Sequence, residues 1–208
     1  MINVGKLKEE QLKLAKEVIL KDSFSKVNLI GGCDQAFVND DIISGVVVCD
    51  KDMEIVEKKY AIVKAKIPYV PGFLFYREGP AIIEAFNKIE KKPDVLLVDG
   101  NGILHPRKLG LASQLGILLN IPTIGITKNL MCGNVREGKV YVDKEVRGFE
   151  SKTREYARHI YVSPGHKISL GKSLDIVKSC LKHPHKLPEP LYLAHRYVNG
   201  VRRELSSK

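Results

Sequence analysis

The chain has 208 residues, of which 44% are hydrophobic and 28% are charged, and this composition excludes an intrinsically disordered chain. A formal net charge of +10 at pH 7 makes nucleic acid or an anionic membrane surface a candidate partner, although a lysine-rich surface can also serve solubility alone. No apolar run approaches the roughly 20 residues that cross a bilayer, so no membrane-spanning segment is expected.

Cysteine usage and the amino terminus indicate the compartment. The first 20 residues are charged throughout and lack the apolar core of a secretory signal. The four cysteines share no C-x-x-C spacing, which predicts isolated thiols in a reducing environment rather than a disulfide framework or a zinc site. We therefore expect a cytoplasmic protein. Because no linker or internal repeat interrupts the sequence, we also expect a single domain over residues 1–208.

The predicted elements begin with an amphipathic helix over residues 6–20. Its apolar face carries Leu7, Leu14, Ala15, Val18 and Ile19. Three strand-like runs follow, at residues 26–36, 42–49 and 54–64. The break "CDKDM" between the second and third runs is typical of a hairpin turn, so these strands are predicted to form an antiparallel meander.

The second half of the chain alternates helices and strands. A helix from about Glu78 to residue 91 is followed by the strand "DVLLVD", a helix over residues 108–119 and the strand "PTIGIT", which is the pattern of parallel crossover units. The later strands are "GKVYV" and "ARHIYVS", and the last helices are "SLGKSLDIVKSCLK" and "EPLYLAHRYVNG". Together these elements predict an α/β fold, with a mixed sheet of an antiparallel meander and then parallel strands, flanked by helices.

The stretch "VLLVDGNGILHPRKLG" carries the first candidate for chemistry. Asp99 ends an apolar strand, and ligands of parallel sheets bind outside the carboxyl ends of the strands. A strand followed by an ordinary turn would explain the same residues. Asp34, in "LIGGCDQAF", interrupts a second apolar run, where a buried carboxylate must be paired, bind a metal or become neutral.

The two aspartates face each other if their strands are neighbours. Two close carboxylates repel unless a cation or a shared proton neutralises them, and hard oxygen ligands suit Mg²⁺. A hydrogen-bonded structural role is the alternative for Asp34. Glu78 is predicted to begin a helix, where interaction with the helix dipole alone would explain a glutamate.

The segment "KIPYVPGFLFYREGP" combines prolines with aromatic residues. Tyr69 lies between Pro68 and Pro71, and an exposed tyrosine held in this way would form a rigid wedge that stacks on nucleobases. The alternative is a proline-braced loop whose aromatic residues are buried.

Six motifs together resemble, in order and spacing, those of the endonuclease V family over about residues 30–200. They are "GGCDQAF", "PYVPGFLFYRE", "DGNGILHPRKLGLASQLG", "PTIGITKNL", "SPGHKISL" and "LPEPLYLAHRYVN". The resemblance implies a ribonuclease H-like fold and a divalent-metal nuclease, for which we expect Mg²⁺, with Mn²⁺ as a substitute. Such an enzyme nicks nucleic acid that contains inosine at the second phosphodiester bond 3′ to the lesion and leaves 3′-hydroxyl and 5′-phosphate ends. Because the chain is compact and lacks long insertions, we expect a DNA repair enzyme that acts at deoxyinosine.

The resemblance also implies roles for particular residues. Asp34 and Asp99 become metal ligands, and Glu78 and His195 complete the catalytic cluster directly or through water. Lys128 resembles a lysine near the scissile phosphate. The strand-separating wedge becomes Pro68, Tyr69, Val70 and Pro71. The hypoxanthine pocket becomes Gly72, Leu74, Gly100, His105 and Gly110, whose glycines would let a flipped base approach the backbone. The cations after His105 are expected to meet phosphate.

Other functions remain open at this point. An inosine-specific endoribonuclease of the same fold would fit the motifs, because some members of the family prefer inosine in RNA. A non-catalytic nucleic-acid binding module is a second alternative, although all three carboxylates and Lys128 are present. A nucleotide-cofactor enzyme is disfavoured because neither G-x-G-x-x-G nor a P-loop occurs. We expect a monomer that acts on inosine-containing DNA with no membrane and no obligate protein partner.

Overall fold

The computed structural model describes residues 3–207. Its strands are β1 (Ile30–Val38), β2 (Asp41–Cys49), β3 (Ile55–Lys64), β4 (Val95–Asp99), β5 (Thr123–Thr127), β6 (Asn134–Arg136), β7 (Lys139–Val142), β8 (Glu145–Ser151) and β9 (Ile160–His166). Its α-helices are α1 (Val4–Leu14), α2 (Leu74–Asn87), α3 (Leu111–Leu119), α4 (Leu170–Ser179) and α5 (Glu189–Ser206), and a short 3-10 helix, Ala15–Glu17, extends α1.

All nine strands form one mixed sheet in the order β3-β2-β1-β4-β5-β9-β8-β7-β6. Strands β1, β2 and β3 pair antiparallel, whereas β4 lies parallel to both β1 and β5. The predicted meander followed by parallel strands is therefore confirmed. Among residues 3–207, no helix has the length and apolar character needed to cross a membrane.

Helices cover both faces of the sheet and bury two large apolar clusters. On one face, α2 and α3 pack on β1, β2 and β4 through residues such as Ile82, Leu96 and Leu115. On the other face, α4 and α5 cover β1, β4, β5 and β9 through residues such as Leu97 and Leu191. Both faces of the central parallel strands are thus buried, as their continuous apolar runs require.

Close contact between β1 and α5 depends on a glycine. A Cβ atom added to Gly32 would lie 2.2 Å from the carbonyl oxygen of Pro190 in the first turn of α5. Only hydrogen fits in this space, so the glycine sets the distance between the strand that carries Asp34 and the helix that carries His195.

Several predicted boundaries were wrong. Strand β1 begins at Ile30 rather than residue 26, because the backbone N–H groups of Asn28 and Leu29 donate to the Asp94 carboxylate (2.7 and 3.0 Å) instead of to a neighbouring strand. The first α-helix ends at Leu14, and Ile19, which was assigned to its apolar face, is exposed.

Helix α2 begins at Leu74, after Gly72 turns the chain with φ of +79°. Glu78 therefore lies in the second turn rather than at the start of the helix. Strands β6 and β8 were not predicted, because "NVR" is short and "EVRGFES" lacks an alternating apolar pattern.

Candidate active site

Asp34 and Asp99 occupy neighbouring parallel strands. Cys33 of β1 lies beside Val98 of β4, so the same register carried one residue further sets Asp34 beside Asp99. Adjacent strands lie about 4.8 Å apart, and residues at matched positions of parallel strands point to the same face. The predicted pairing of the two aspartates on neighbouring strands is confirmed.

Asp34 meets its main partner on α5. It lies two residues beyond Gly32, which faces α5, and residues two apart in a strand share a face. His195 Nδ1 lies 2.6 Å from Asp34 Oδ2. Burial raises the pKa of Asp34, and the Asp99 carboxylate raises it further, against the lowering effect of hydrogen bonds from the Gln35 backbone and His195.

Asp99 forms an ion pair with Lys128, which follows β5 directly. The Lys128 ammonium lies 3.0 Å from Asp99 Oδ2. Burial is the largest single effect and lowers the pKa of Lys128. The charge and hydrogen bond of Asp99, together with the charge of Asp34, outweigh burial, so the net shift is upward and the lysine stays protonated. The ammonium is therefore held at the carboxyl end of the parallel strands, where an anionic ligand would approach.

Glu78 approaches the aspartates from α2. Its side chain is buried, and its pKa is raised to about 7, mainly by burial and in addition by the nearby carboxylates of Asp99 and Asp34. Arg77 opposes this effect only in part. Three carboxylates thus repel one another at one end of the sheet, which is an arrangement found more often at functional sites than in structural cores.

The raised pKa of the Glu78 carboxyl predicts that the stability of the protein depends on pH. Between the unfolded pKa near 4.5 and the folded pKa of about 7, the folded protein binds more protons than the unfolded chain at Glu78, so its free energy of unfolding falls as pH rises. The loss is complete above about pH 7 and amounts to up to about 3 kcal/mol. In a chelator, Glu78→Gln should remove this slope in urea titrations between pH 5 and pH 8. An identical slope in both proteins would contradict the assignment.

The carboxylates suit a hard divalent cation. Their mutual repulsion is what a divalent cation would relieve, and carboxylate oxygens are the ligands that Mg²⁺ and Mn²⁺ prefer. In residues 3–207, no three histidine, cysteine, aspartate or glutamate side chains are arranged as a complete metal site. Because Asp34 is paired with His195 and Asp99 with Lys128, a cation would have to compete with these pairs.

A second group of predicted residues surrounds the carbonyl oxygen of Gly72. This oxygen accepts three hydrogen bonds: from Gln11 Nε2 (3.1 Å), Arg107 Nη2 (2.7 Å) and His105 Nε2 (3.2 Å). Arg107 also donates to Gln11 and lies over the ring of Phe73. The chain segment that follows the predicted wedge is thereby fixed to α1 and to the loop after β4.

His105 is neutral and has a defined tautomer. Its pKa is lowered to about 4, mainly by burial and in addition by the Arg107 guanidinium. Its Nδ1 accepts from the Arg107 backbone N–H (3.2 Å), so Nε2 carries the proton that is donated to Gly72.

Four of the five predicted pocket residues line one small cavity of about 20 Å³. They are Gly72, Leu74, His105 and Gly110. Asn101 and Met131, which were not predicted, line it as well, and the buried Asn101 Oδ1 has no hydrogen-bond partner in residues 3–207. The fifth residue, Gly100, does not line this cavity and lies against Leu111.

The wedge segment is exposed. Tyr69 has 61% of its surface accessible, and the flanking Pro68 and Pro71 are exposed too, whereas Phe73 in the same segment is buried. The alternative in which all the aromatic residues are buried does not hold for Tyr69.

One expectation about polar residues needs correction, and one buried polar residue was missed. Arg107 and Lys108 were expected to meet phosphate, but Arg107 is bound to Gly72 and Gln11, and Lys108 forms an ion pair with Glu145 (2.7 Å). Gln11 was missed, because a glutamine among lysines and glutamates in a helix suggests a solvent-facing residue, yet only 2% of it is exposed.

Comparison with known proteins identifies the family. Residues 12–196 match the sequence profile described as Endonuclease V. Endonuclease V of Dictyoglomus turgidum is 41% identical over 202 residues, which cover 92% of this chain and 86% of that protein. The structure of Bacillus subtilis Endonuclease_V superposes with a TM-score of 0.91 at 31% identity, covering 100% of this chain and 95% of the other.

A second solved structure is Ciona intestinalis endonuclease V in complex with a 23mer DNA that contains an inosine followed by a ribo-adenosine. It superposes with a TM-score of 0.89 at 28% identity, covering 99% of this chain and 100% of the other. Sequence and fold agree over nearly the whole length, and the chain therefore belongs to the endonuclease V family of nucleases.

Proposed function

We propose that this nuclease is a metal-dependent DNA repair endonuclease that nicks the second phosphodiester bond 3′ to deoxyinosine. The cut leaves 3′-hydroxyl and 5′-phosphate ends, so water attacks phosphorus and the 3′ oxygen leaves. The observation that carries the proposal is the placement of Asp34 beside Asp99 at the carboxyl ends of parallel strands, with Lys128 bound to Asp99. The family relative crystallised with inosine-containing DNA supports the choice of substrate.

Asp34 and Asp99 are the proposed metal ligands, with Glu78 and His195 completing the site directly or through water. A bound Mg²⁺ or Mn²⁺ ion supplies Lewis acidity toward a phosphoryl oxygen and lowers the pKa of water. Glu78, whose pKa is raised to about 7 in the structure, would be held in its ionised form beside such a cation. His195 orients the Asp34 carboxylate through its 2.6 Å contact.

Lys128 is the proposed stabiliser of the transition state. Its ammonium lies at the strand ends and stays protonated, so it can offset charge that develops on a phosphoryl oxygen. An arriving phosphate would compete with Asp99 for this ammonium, which would free the carboxylate for the cation.

Base recognition is proposed to use the cavity lined by Gly72, Leu74, His105 and Gly110, with Gly100 beside it. The neutral His105 fixes the Gly72 carbonyl, and the glycines let main-chain groups approach a flipped base. Pro68, Tyr69, Val70 and Pro71 would fill the gap that the flipped nucleotide leaves.

Replacing the wedge tyrosine should weaken lesion engagement. We expect Tyr69→Ala to reduce the affinity for inosine-containing duplex by about 1–3 kcal/mol, the usual contribution of an aromatic ring that stacks on a base. Because the ring is exposed, folding and the metal dependence of cleavage should not change. Leu118→Ala removes an exposed apolar side chain of α3 that lies outside the wedge, and of the two variants only Tyr69→Ala should lose affinity for the inosine duplex. Equal affinity of wild type and Tyr69→Ala for inosine duplex would rule out the wedge.

The direct test uses end-labelled duplexes that differ only in one deoxyinosine, one riboinosine or one adenosine, with Mg²⁺ or EDTA. A single Mg²⁺-dependent nick beyond deoxyinosine supports the proposal. Preferential cleavage of the riboinosine duplex would instead assign the endoribonuclease activity, and binding without cleavage would assign a binding module.

We further propose that residues 1–208 act as one domain and as a cytoplasmic monomer, with DNA as the partner and no obligate protein partner or membrane. The support for this compartment is that Cys33, Cys49, Cys132 and Cys180 are all free thiols, three of them buried.

A further inference from the structure

Two loops beside Lys128 are joined into one surface by hydrogen bonds. Thr153 Oγ1 donates to the carbonyl oxygen of Lys186 (2.7 Å), and Arg154 Nη1 donates to that of Pro184 (3.1 Å). The first loop connects β8 to β9, and the second connects α4 to α5. We call Arg154, Tyr156, Arg158 and Lys186 the basic platform.

The cations of the basic platform are not neutralised by acidic side chains. Arg154, Arg158 and Lys186 form no ion pair with any residue in the range 3–207, and Glu150 is already engaged by His159 (3.1 Å). Burial lowers the pKa of Lys186, and the positive charges of Lys128, Arg158 and Arg154 lower it further, so these cations lie close enough to repel one another. Such a concentration of positive charge attracts an anion.

The basic platform adjoins the candidate active site. Lys128 and Arg158 line the same open depression of about 350 Å³, together with Asn129 and His159. Lys128 is the residue proposed to contact the scissile phosphate, so a strand that leaves this phosphate in the direction of the depression meets Arg158 next.

Tyr156 provides a second and independent feature. Its side chain is 96% exposed, and its backbone has φ of +58°, in the left-handed region that costs a non-glycine residue about 1–2 kcal/mol. Within residues 3–207, no other side chain covers the ring. A tyrosine held out in this conformation among cations matches the way in which proteins bind single nucleic-acid strands, with cations on the backbone and an aromatic ring stacked on a base.

We propose that the basic platform binds the nucleic-acid strand that continues from the scissile phosphate, with Arg158 and Lys186 on phosphates and Tyr156 stacked on a base. The inference rests on the proposed function in one respect, which is that Lys128 marks the position of the cut. A polyanion with exposed bases fits both the charge and the aromatic ring, whereas an acidic protein segment would use the charge alone.

The first test measures binding without cleavage. The double variant Arg158→Gln/Lys186→Gln is compared with Lys51→Gln/Lys91→Gln, which removes the same charge from the opposite end of the sheet, where β2 ends and β4 begins. The Kd for inosine-containing DNA is measured in EDTA over a range of salt concentrations. Loss of two phosphate contacts should reduce the slope of log Kd against log salt by about 1.4–1.8 in the first variant only. Equal slopes in the two variants would overturn the proposal.

The second test concerns the aromatic ring and the nature of the ligand. Tyr156→Ala should weaken binding of single-stranded DNA by about 1–3 kcal/mol, and Tyr156→Phe should retain it. Heparin, a polyanion without bases, should bind wild type and Tyr156→Ala equally. If Tyr156→Ala weakens heparin and DNA to the same extent, or weakens neither, the stacking role is wrong.

Shortened duplexes separate this inference from the proposed function. Removal of the nucleotides that continue from the cut over the basic platform should abolish the difference in affinity between wild type and Arg158→Gln/Lys186→Gln. Removal of nucleotides on the opposite side of the cut should leave this difference unchanged. A difference that survives both truncations would overturn the inference even if cleavage at inosine is observed. A protein that fails to cut any inosine substrate, yet shows the expected loss of salt slope, would contradict the proposed function and leave the basic platform supported.

Discussion

Asp99→Ala should abolish cleavage, with a rate at least about a thousandfold lower than that of wild type, because under the proposed function it removes a metal ligand and with it several kcal/mol of transition-state stabilisation. Folding should not suffer. The side chain is partly exposed, and its removal relieves the repulsion that raises the pKa values of Asp34 and Glu78. The variant should therefore unfold at the same urea concentration as wild type or a higher one, and should still bind inosine-containing duplex.

Single-turnover cleavage in Mg²⁺, binding in EDTA and urea unfolding together check this result. Asp52→Asn is a matched control, since Asp52 lies in the exposed turn between β2 and β3, away from the carboxyl end of β4. Mg²⁺-dependent nicking by Asp99→Ala at a rate near that of the control would refute the assignment of the metal ligands.

Gly32→Ala should both destabilise the protein and impair cleavage. The new methyl group would lie 2.2 Å from the Pro190 carbonyl oxygen, so α5 must move away from β1. We expect a loss of stability at or above the upper end of the about 1–3 kcal/mol typical of overpacked cores. Because α5 carries His195, its displacement should also lengthen the contact with Asp34, and cleavage should fall in the fraction of molecules that remain folded.

Gly200→Ala is the control within the same helix. A Cβ atom at Gly200 would have no neighbour within 4 Å, so alanine should stabilise α5 by about 0.5–1 kcal/mol and leave cleavage unchanged. Urea unfolding and single-turnover rates of the two variants distinguish the effects. Equal stability of Gly32→Ala and wild type would mean that the contact between β1 and α5 is looser than the structure indicates.

The parallel strands were predictable because their residues carry a local signal. "VLLVD" begins with four consecutive apolar residues, "TIGIT" is a short strand rich in β-branched residues, and a helix joins the two, which leaves little choice of topology. The placement of Asp34 beside Asp99 followed once the strands were taken as neighbours, since both residues lie at matched positions. Strand β8 gave no such signal, because its buried residues include Arg147 and Gly148, which no apolar pattern reveals.

Residues that act through long-range hydrogen bonds were not predictable. Gln11 is separated from Gly72 by 61 positions, and its contact depends on where α1 packs. The cations Arg107 and Lys108 were assigned to phosphate because charge alone says nothing about the partner available inside the protein. The basic platform was unpredictable for the same reason. It arises from two loops that meet only in the folded chain, and each loop alone resembles an ordinary charged surface.

The cavity beside Gly72 has room for little more than one water molecule, so under the proposed function a purine can enter only an open form of the site. The apparent affinity for any ligand of such a site is reduced by the population of that form. Under the proposed function, a free nucleoside bears the whole cost of opening, whereas a lesion within a strand also gains contacts at the wedge and the backbone. The enzyme would then resist inhibition by the cellular pool of inosine nucleotides while remaining sensitive to a single deaminated base in a long polymer.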